Sequence, residues 1–414
     1  MKPLGRLAVL ATAALLTVTA CGSDAPPAQQ GPKTLRMTIW TANEAHLKLF
    51  NEIAAGYPKA KVTFDPIPVE SYTTTLTTQM AGGNPPDLAW VLEGSAPDFV
   101  ASSTLAPLNG KLDNAGELIP STTKLWEKDG ELYAYPLSTS PFGVFVNNDL
   151  LKQAGQQTPR ELVKAGQWTW DKAMAMNAAV AKKGKAGLVV QDFDYKNWTN
   201  LAAIWGGWGA QAWSEDGRTC GFNQPPMVEA MTFLHKSIFT DKALPGPGAT
   251  ADFFAGDAGM VITQISRAAL LKDATFGWDL VPLPSGPKGD YAVIGQAGIG
   301  VLKKSPNADL AADFLAYFTN SANSAKLAAY FPPPRSSQLT AATLAKSNPL
   351  LKPEQLQQVV VDGVGKGVVK PAHTNQAEVQ QTVRAALDPL WQPGADVRAV
   401  LDGVCAKIQP MLGS

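Results

Sequence analysis

Apolar and polar positions follow two different rhythms along this chain, and each change of rhythm marks an element. Leu35, Met37 and Ile39 alternate with polar neighbours as a half-buried strand does. After a short polar loop, Leu47, Phe50, Ile53, Ala54 and Tyr57 recur at helical spacing, and Gly56 with Pro58 stops the helix. A second strand runs through Val62 and Phe64, and a second helix from about Ser71 to Met80 ends at Gly82 and Gly83. Leu88 to Leu92 is apolar without a break, as expected of a strand covered on both faces. Strand, helix, strand, helix, strand predicts right-handed crossovers and a doubly wound α/β sheet. Such sheets bind ligands beyond the carboxyl ends of their strands, which singles out the loops Thr41–Glu44 and Glu93–Ser95.

Further on, DGELYAYPLSTSPFGVFVNNDLLKQAG (Asp129 to Gly155) reads as a hairpin, a long extended segment and a helix. Its run from Pro136 to Pro141 is a strand that leaves one lobe and enters another. Helices are predicted over Trp170–Lys182, Met227–Ile238, Ala308–Thr319, Val379–Leu387 and Val397–Met411, and strands over Met260–Thr263 and Gly298–Leu302. Pro and Gly gather at 245–248 and 282–289, marking loops. The amino terminus follows another logic. Lys2 and Arg6 precede an apolar run, Leu7 to Val18, that is too short to span a bilayer, and Val18, Thr19 and Ala20 lead into Cys21. This resembles a bacterial lipoprotein signal: residues 1–20 are removed, Cys21 carries the lipid and 21–32 form a flexible tether. An ordinary secretory signal with an incidental cysteine is the alternative.

Composition narrows the picture. The mature chain is too long for one compact core, so two domains or more are expected. Lys plus Arg, 35, equals Asp plus Glu, 35, so nothing draws the protein to nucleic acid and a charged ligand is not the first expectation. Cys220 and Cys405 are exported with the chain into surroundings where a disulfide persists, and they are expected to pair; two buried free thiols are the alternative. The chain holds 11 Trp, with Trp198, Trp205, Trp208 and Trp213 crowded together. Such a cluster is either core or a stacking platform for a ligand.

The order of segments resembles the extracytoplasmic solute-binding proteins of ABC importers, in particular the carbohydrate-binding group that includes maltose-binding protein. LRMTIWTANEAHLKLFNEIAAGYPKAKV, AGGNPPDLAWVLEGSAPDFVASSTLAPL, GELYAYPLSTSPFGVFVNNDLLKQAG, FAGDAGMVI, FGWDLVPLPSGP, AGIGVLKKS and FPPPRSS carry the resemblance, in the family's order over almost the whole mature chain. It implies a two-lobed periplasmic-binding-protein type II fold, α/β, in which each lobe is a doubly wound sheet flanked by helices and crossing hinge segments join the two. Lobe I would be 33–141 plus 295–328, and lobe II 142–294 plus 329–414. The implied partners are a carbohydrate held between the lobes, the permease subunits of an importer and membrane lipid through the anchor. The protein would work as a monomer on the extracytoplasmic face of the cell membrane, without cofactor or metal.

The resemblance also implies a set of ligand-facing positions. Asn43 and Glu44 lie in the loop after the first strand, and Glu93 after the third, where a carboxylate can accept from two vicinal hydroxyls. Ser140 falls on the crossing segment. Trp198, Trp205 and Gly206 fall where the family presents an aromatic face and a small-residue turn. Arg335 matches a basic residue near the third crossing, with a hinge or surface ion pair as its alternative role. Many relatives carry Gly-Pro-Trp where this chain has Gln264, Ile265 and Ser266, so stacking is expected from Trp198 or Trp205. Gln296 adds an amide to the family's small-residue loop, and Tyr72 is a further candidate that helix packing would explain equally well.

A reactive constellation is not legible. His46, His235 and His373 show no helical metal spacing, and neither a nucleophile elbow nor a phosphate loop occurs. Asp192 and Asp194 are the one pair suggestive of glycosidase carboxylates, but Phe193, Tyr195 and Trp198 suit a sugar-contacting loop as well. The expectation is a non-enzymatic sugar receptor. Its rivals are a receptor of the same fold for a phosphorylated polyol such as glycerol phosphate, and a lipoprotein acting on cell-wall glycan.

Overall fold

In the computed structural model residues 33–413 are described; the expected signal peptide, Cys21 and the whole 21–32 tether lie outside them. Strands β1 (Thr34–Ile39), β2 (Lys61–Pro66) and β3 (Leu88–Leu92) alternate with helices Glu44–Ala55 and Tyr72–Ala81. Asn43 starts the first of these helices by accepting from the backbone N–H groups of Ala45 and His46, at 2.9 and 3.3 Å. The helix lays Phe50, Ile53 and Ala54 against the sheet. β4 (Glu127–Lys128) and β5 (Glu131–Leu132) form the expected hairpin. Its two turn residues, Asp129 at φ 53° and Gly130 at φ 80°, are both left-handed, as a two-residue turn between twisted strands requires.

The remaining strands are β6 (Ala134–Asn147), β7 (Ala186–Val190), β8 (Ala258–Gln264), β9 (Trp278–Val281), β10 (Val293–Val301) and β11 (Val368–Val369). The main sheet runs in the order β2-β1-β3-β10-β6-β8-β7, with β11 beside β10 and β9 beside β6. β1 is parallel to β2 and β3, and β7 to β8, as the alternating pattern implies. β6 and β10 enter antiparallel, which makes the sheet mixed. β6 explains why the lobes are continuous: it is 14 residues long, its first half pairs with β10 in lobe I, and its second half, from Phe142, pairs with β8 and β9 in lobe II. The changeover falls at Pro141, whose missing N–H costs the ladder least where it changes partner.

Apolar side chains collect in three clusters. One fills lobe I around Leu35, Phe50, Trp90, Phe314 and Phe318. A second fills lobe II around Val144, Trp170, Trp198, Met231 and Leu401. The third covers the opposite face of β6 with Phe145, Val261, Leu280, Leu356 and Val360. Val144 and Phe145, adjacent on the strand, feed different clusters because successive strand side chains point to opposite faces. Beyond residue 328 the chain still contacts the expected lobe I: Phe331 belongs to its cluster, Arg335 donates to the carbonyls of Asn114 and Thr319, and the Ser336 N–H donates to Glu117 O. Among the described residues no helix is long and apolar enough to cross a membrane.

Candidate functional site

Where β3 ends, the chain turns into a short 3-10 turn at Glu93 and the β3–β10 ladder stops at Leu92 opposite Ala297. The Glu93 carboxylate extends that ladder by one rung: its Oε2 accepts from the Gln296 N–H at 2.6 Å. Its Oε1 meets Lys370 Nζ at 2.6 Å, and only 16% of the Glu93 side chain and 13% of the Lys370 side chain are exposed. Lys370 follows β11 directly and also donates to Asn200 Oδ1 in lobe II, at 3.1 Å. Its ammonium stands 5.6 Å from the centroid of the Phe142 ring, within cation–π range. A carboxylate from lobe I, an amide from lobe II and a lysine at the crossing thus meet on the floor between the lobes. Lys370 and Asn200 were not among the expected residues; in sequence Lys370 is one lysine in GVVKP and Asn200 one amide after a Trp.

Gln296 itself is buried, and its Nε2 donates to Thr122 O at 3.0 Å while its Oε1 has no protein partner. Beside it, Gln264 at the end of β8 lies flat on Gly295; a Cβ there would stand 1.6 Å from Gln264 Nε2, so glycine is what lets the amide reach the hinge strand. Ser140 is buried on β6 and its Oγ accepts from the Ser266 N–H at 3.3 Å, joining the crossing strand to the turn after β8. Glu93, Gln296, Gln264, Ser140 and Ser266 are therefore gathered at the hinge. Asn43 and Glu44 stand exposed at a helix start, Asn43 as its cap and Glu44 as a first-turn charge complementing the dipole.

The aromatic candidates are placed differently. Trp198 and Trp205 are 1% and 2% exposed and pack on each other and on Phe222 in the lobe II core, so neither offers a face to a ligand. Trp198 Nε1 donates to Gln380 O at 3.1 Å. Gly206 is small because the Tyr291 ring lies 2.7 Å from where a Cβ would stand. Tyr72 donates to Thr38 O and Trp90 O at 2.9 and 2.7 Å, pinning β1 to β3, and burial raises its hydroxyl pKa. Trp40, after β1, and Trp213, which packs edge-on against His373 at 5.2 Å, stay half-exposed. Arg335, 1% exposed, donates to Asn114 O and Thr319 O at 2.8 and 3.3 Å and lies near the Tyr135 ring, inside lobe I rather than in the cleft.

Around the floor the lobes touch again. The Asn375 N–H donates to Asp98 Oδ1 at 2.8 Å, and Lys124 of lobe I pairs with Glu215 of lobe II at the exposed lip. Glu215 rides on a hairpin held by the Trp213–Cys220 bridge and by the Cys220–Cys405 disulfide, whose Cα atoms are 5.5 Å apart. Among the described residues, a cavity of about 300 Å³ is lined by Phe142, Trp168 and Tyr291, and another of about 350 Å³ by Trp213 and Cys220. Asp192 pairs with Arg267, and Asp194 with Lys196, so each carboxylate of that loop has its own cation.

Comparison with known proteins bears on the family and the fold. The chain is 26% identical over 282 residues to a protein of Brucella abortus named as a binding protein, covering 63% of this chain and 66% of that one, just under two thirds of its length. It is 26% identical over 340 residues to the maltodextrin-binding protein MdxE of Bacillus subtilis, 76% of each chain. The cyclic α-maltosyl-1,6-maltose binding protein of Arthrobacter globiformis superimposes with a TM-score of 0.80 at 19% identity, over 92% of this chain and 100% of the other. UgpB of Mycobacterium tuberculosis, in complex with glycerophosphocholine, does so with a TM-score of 0.76 at 18% identity, over 92% and 98%. Residues 41–325 match the family model described as bacterial extracellular solute-binding protein, and the chain therefore belongs to that family.

Proposed function

We propose that this protein captures a sugar, of di- or oligosaccharide size, between its lobes and delivers it unaltered to an ABC importer. The observation that carries the reading is the floor: a desolvated carboxylate, ammonium and amides whose charges cancel. Sugars are neutral, dense in hydroxyls and able both to donate and to accept, so such a floor suits them. Lobe closure removes water, strengthens each polar contact and gives the permease a shape distinct from the open form. The lipidated Cys21 and the 21–32 tether would hold a monomeric receptor close to its transporter at high effective concentration on the extracytoplasmic face of the membrane. The maltodextrin-binding relative supports a carbohydrate ligand.

The polyol-phosphate alternative draws its support from Arg335, and that guanidinium is buried inside lobe I, where its two terminal nitrogens donate to the carbonyls of Asn114 and Thr319. The glycan-cleaving alternative needs a free carboxylate pair, and Asp192 and Asp194 are each matched by a cation. The test is a thermal-shift screen of neutral mono-, di- and oligosaccharides with glycerol phosphate alongside, followed by small-angle scattering. A sugar that binds only the native state raises the melting temperature and contracts the scattering profile. Stabilisation by glycerol phosphate alone, or by nothing in the panel, overturns the reading.

A further inference from the structure

The floor has unspent hydrogen-bonding capacity. An ionised carboxylate offers about four lone-pair sites and an ammonium three N–H groups. Glu93 spends two sites, on Gln296 and Lys370, and Lys370 spends two N–H groups, on Glu93 and Asn200. What remains for a ligand is one donor and spare acceptors side by side, with no net charge. Phe142 below the ammonium and Asn200 beside it restrict where Lys370 can turn.

We propose that the Glu93–Lys370 pair determines specificity by charge: it makes the cleft accept neutral hydroxylated ligands and reject both acidic and amino-bearing ones. The inference rests on the sugar-binding reading. A sugar hydroxyl donates to Glu93 and accepts from Lys370 while the pair stays together. A uronate or phosphate group draws the ammonium to itself and leaves Glu93 buried with the Gln296 N–H alone. An amino sugar draws the carboxylate and strands Lys370. Either exchange leaves one charge uncompensated in a floor with little water, which disfavours the wrong ligand without any steric clash.

The test uses glucose-, galactose- and mannose-built trisaccharides, each in neutral, 6-uronate and 2-amino form, with binding to the whole protein measured by calorimetry. The wild type is expected to prefer a neutral form over both charged forms by about tenfold or more. Glu93→Gln should raise the uronate-to-neutral affinity ratio, and Lys370→Met the amino-to-neutral ratio, each by about tenfold, in opposite senses that a merely structural role would not produce. The double variant Glu93→Gln/Lys370→Gln replaces the ion pair by two amides and should lose the preference for the neutral form over both charged forms; it decides the question if a single variant does not fold. Ratios that stay within about twofold of wild type in every folded variant overturn the proposal while leaving sugar binding intact. A wild type that binds no neutral member fails the sugar reading itself, and this inference falls with it.

Discussion

Removing one partner of the floor pair tests its burial directly. Lys370→Met deletes the ammonium but keeps most of the stem volume, and it leaves Glu93, 16% exposed, with a single N–H from Gln296. A buried charge stripped of its partner costs about 3–5 kcal/mol, a large share of a typical total of about 5–15. Glu93→Gln keeps a carbonyl oxygen for the Gln296 N–H but leaves Lys370 facing Asn200 alone, a loss of the same order. The double variant Glu93→Gln/Lys370→Met has no charge to strand and should fall within about 2 kcal/mol of wild type. The measurement is urea unfolding of all four proteins with equal slopes, so that midpoints report stability. The expected signature is a coupling of at least about 2 kcal/mol, because the second substitution relieves what the first leaves behind. Singles that cost under about 1 kcal/mol and add without coupling would mean the pair behaves as an exposed one, and the desolvated floor would be refuted.

Three other outcomes are expected. Trp198→Phe should keep any ligand-induced change in tryptophan emission and Trp213→Phe should reduce it, since Trp198 is core while Trp213 is half-exposed beside His373; the opposite result would move the reporter into the core. Reducing Cys220–Cys405, which closes a separation of 185 residues, should lower stability by up to about 5 kcal/mol on chain-entropy grounds, and an unchanged urea midpoint in reductant would show that the bond contributes nothing. Burial alone would raise the Asp279 pKa, but hydrogen bonds from Arg160 and Gln355 and the Arg160 charge hold it below the usual carboxylate value. A depressed carboxylate adds stability above its unfolded pKa of about 3.9 that is lost as pH falls through the lower folded value. Asp279→Asn should therefore flatten the acid limb of stability below about pH 4, and an unaltered limb would count against the Arg160 pair.

The early βαβαβ pattern was legible because each element is amphipathic or continuously apolar over its own length, and the hairpin because Asp129–Gly130 supplies left-handed turn residues. Glu93 was legible for a topological reason, the carboxyl end of a central strand. Lys370 was not, since no local periodicity ties the lysine of GVVK to a glutamate on the other lobe; only the β10–β11 pairing brings it there. The Trp cluster shows the converse limit. Counting large aromatics locates a mass of buried surface, but whether Trp198 presents a face or fills a core depends on Phe222 and Gln380, which arrive from distant segments. Arg335 followed the same course: the basic residue after FPPP is held by carbonyls of Asn114 and Thr319 that sequence spacing does not reveal.

Position relative to the hinge separates the two interlobe ion pairs by role. Glu93, Gln296 and Lys370 sit where β3, β10 and β11 adjoin, next to the point at which β6 changes partner from β10 to β8. A rotation of one lobe about these strands moves atoms in proportion to their distance from the axis, so the floor pair shifts little between open and closed forms. Lys124 and Glu215 lie far out on exposed side chains, and opening separates them first. As an exposed pair they contribute about 0–1 kcal/mol, enough to bias an opening equilibrium but too little to hold it. On the proposed sugar-receptor reading, the ligand would meet a floor whose charges are already arranged, while the readiness to close would be adjusted at the lip. Lys124→Ala should accordingly change overall affinity by a few-fold at low salt and leave the ranking of neutral, acidic and amino sugars untouched, because the Glu93–Lys370 pair proposed to rank them does not include Lys124 or Glu215.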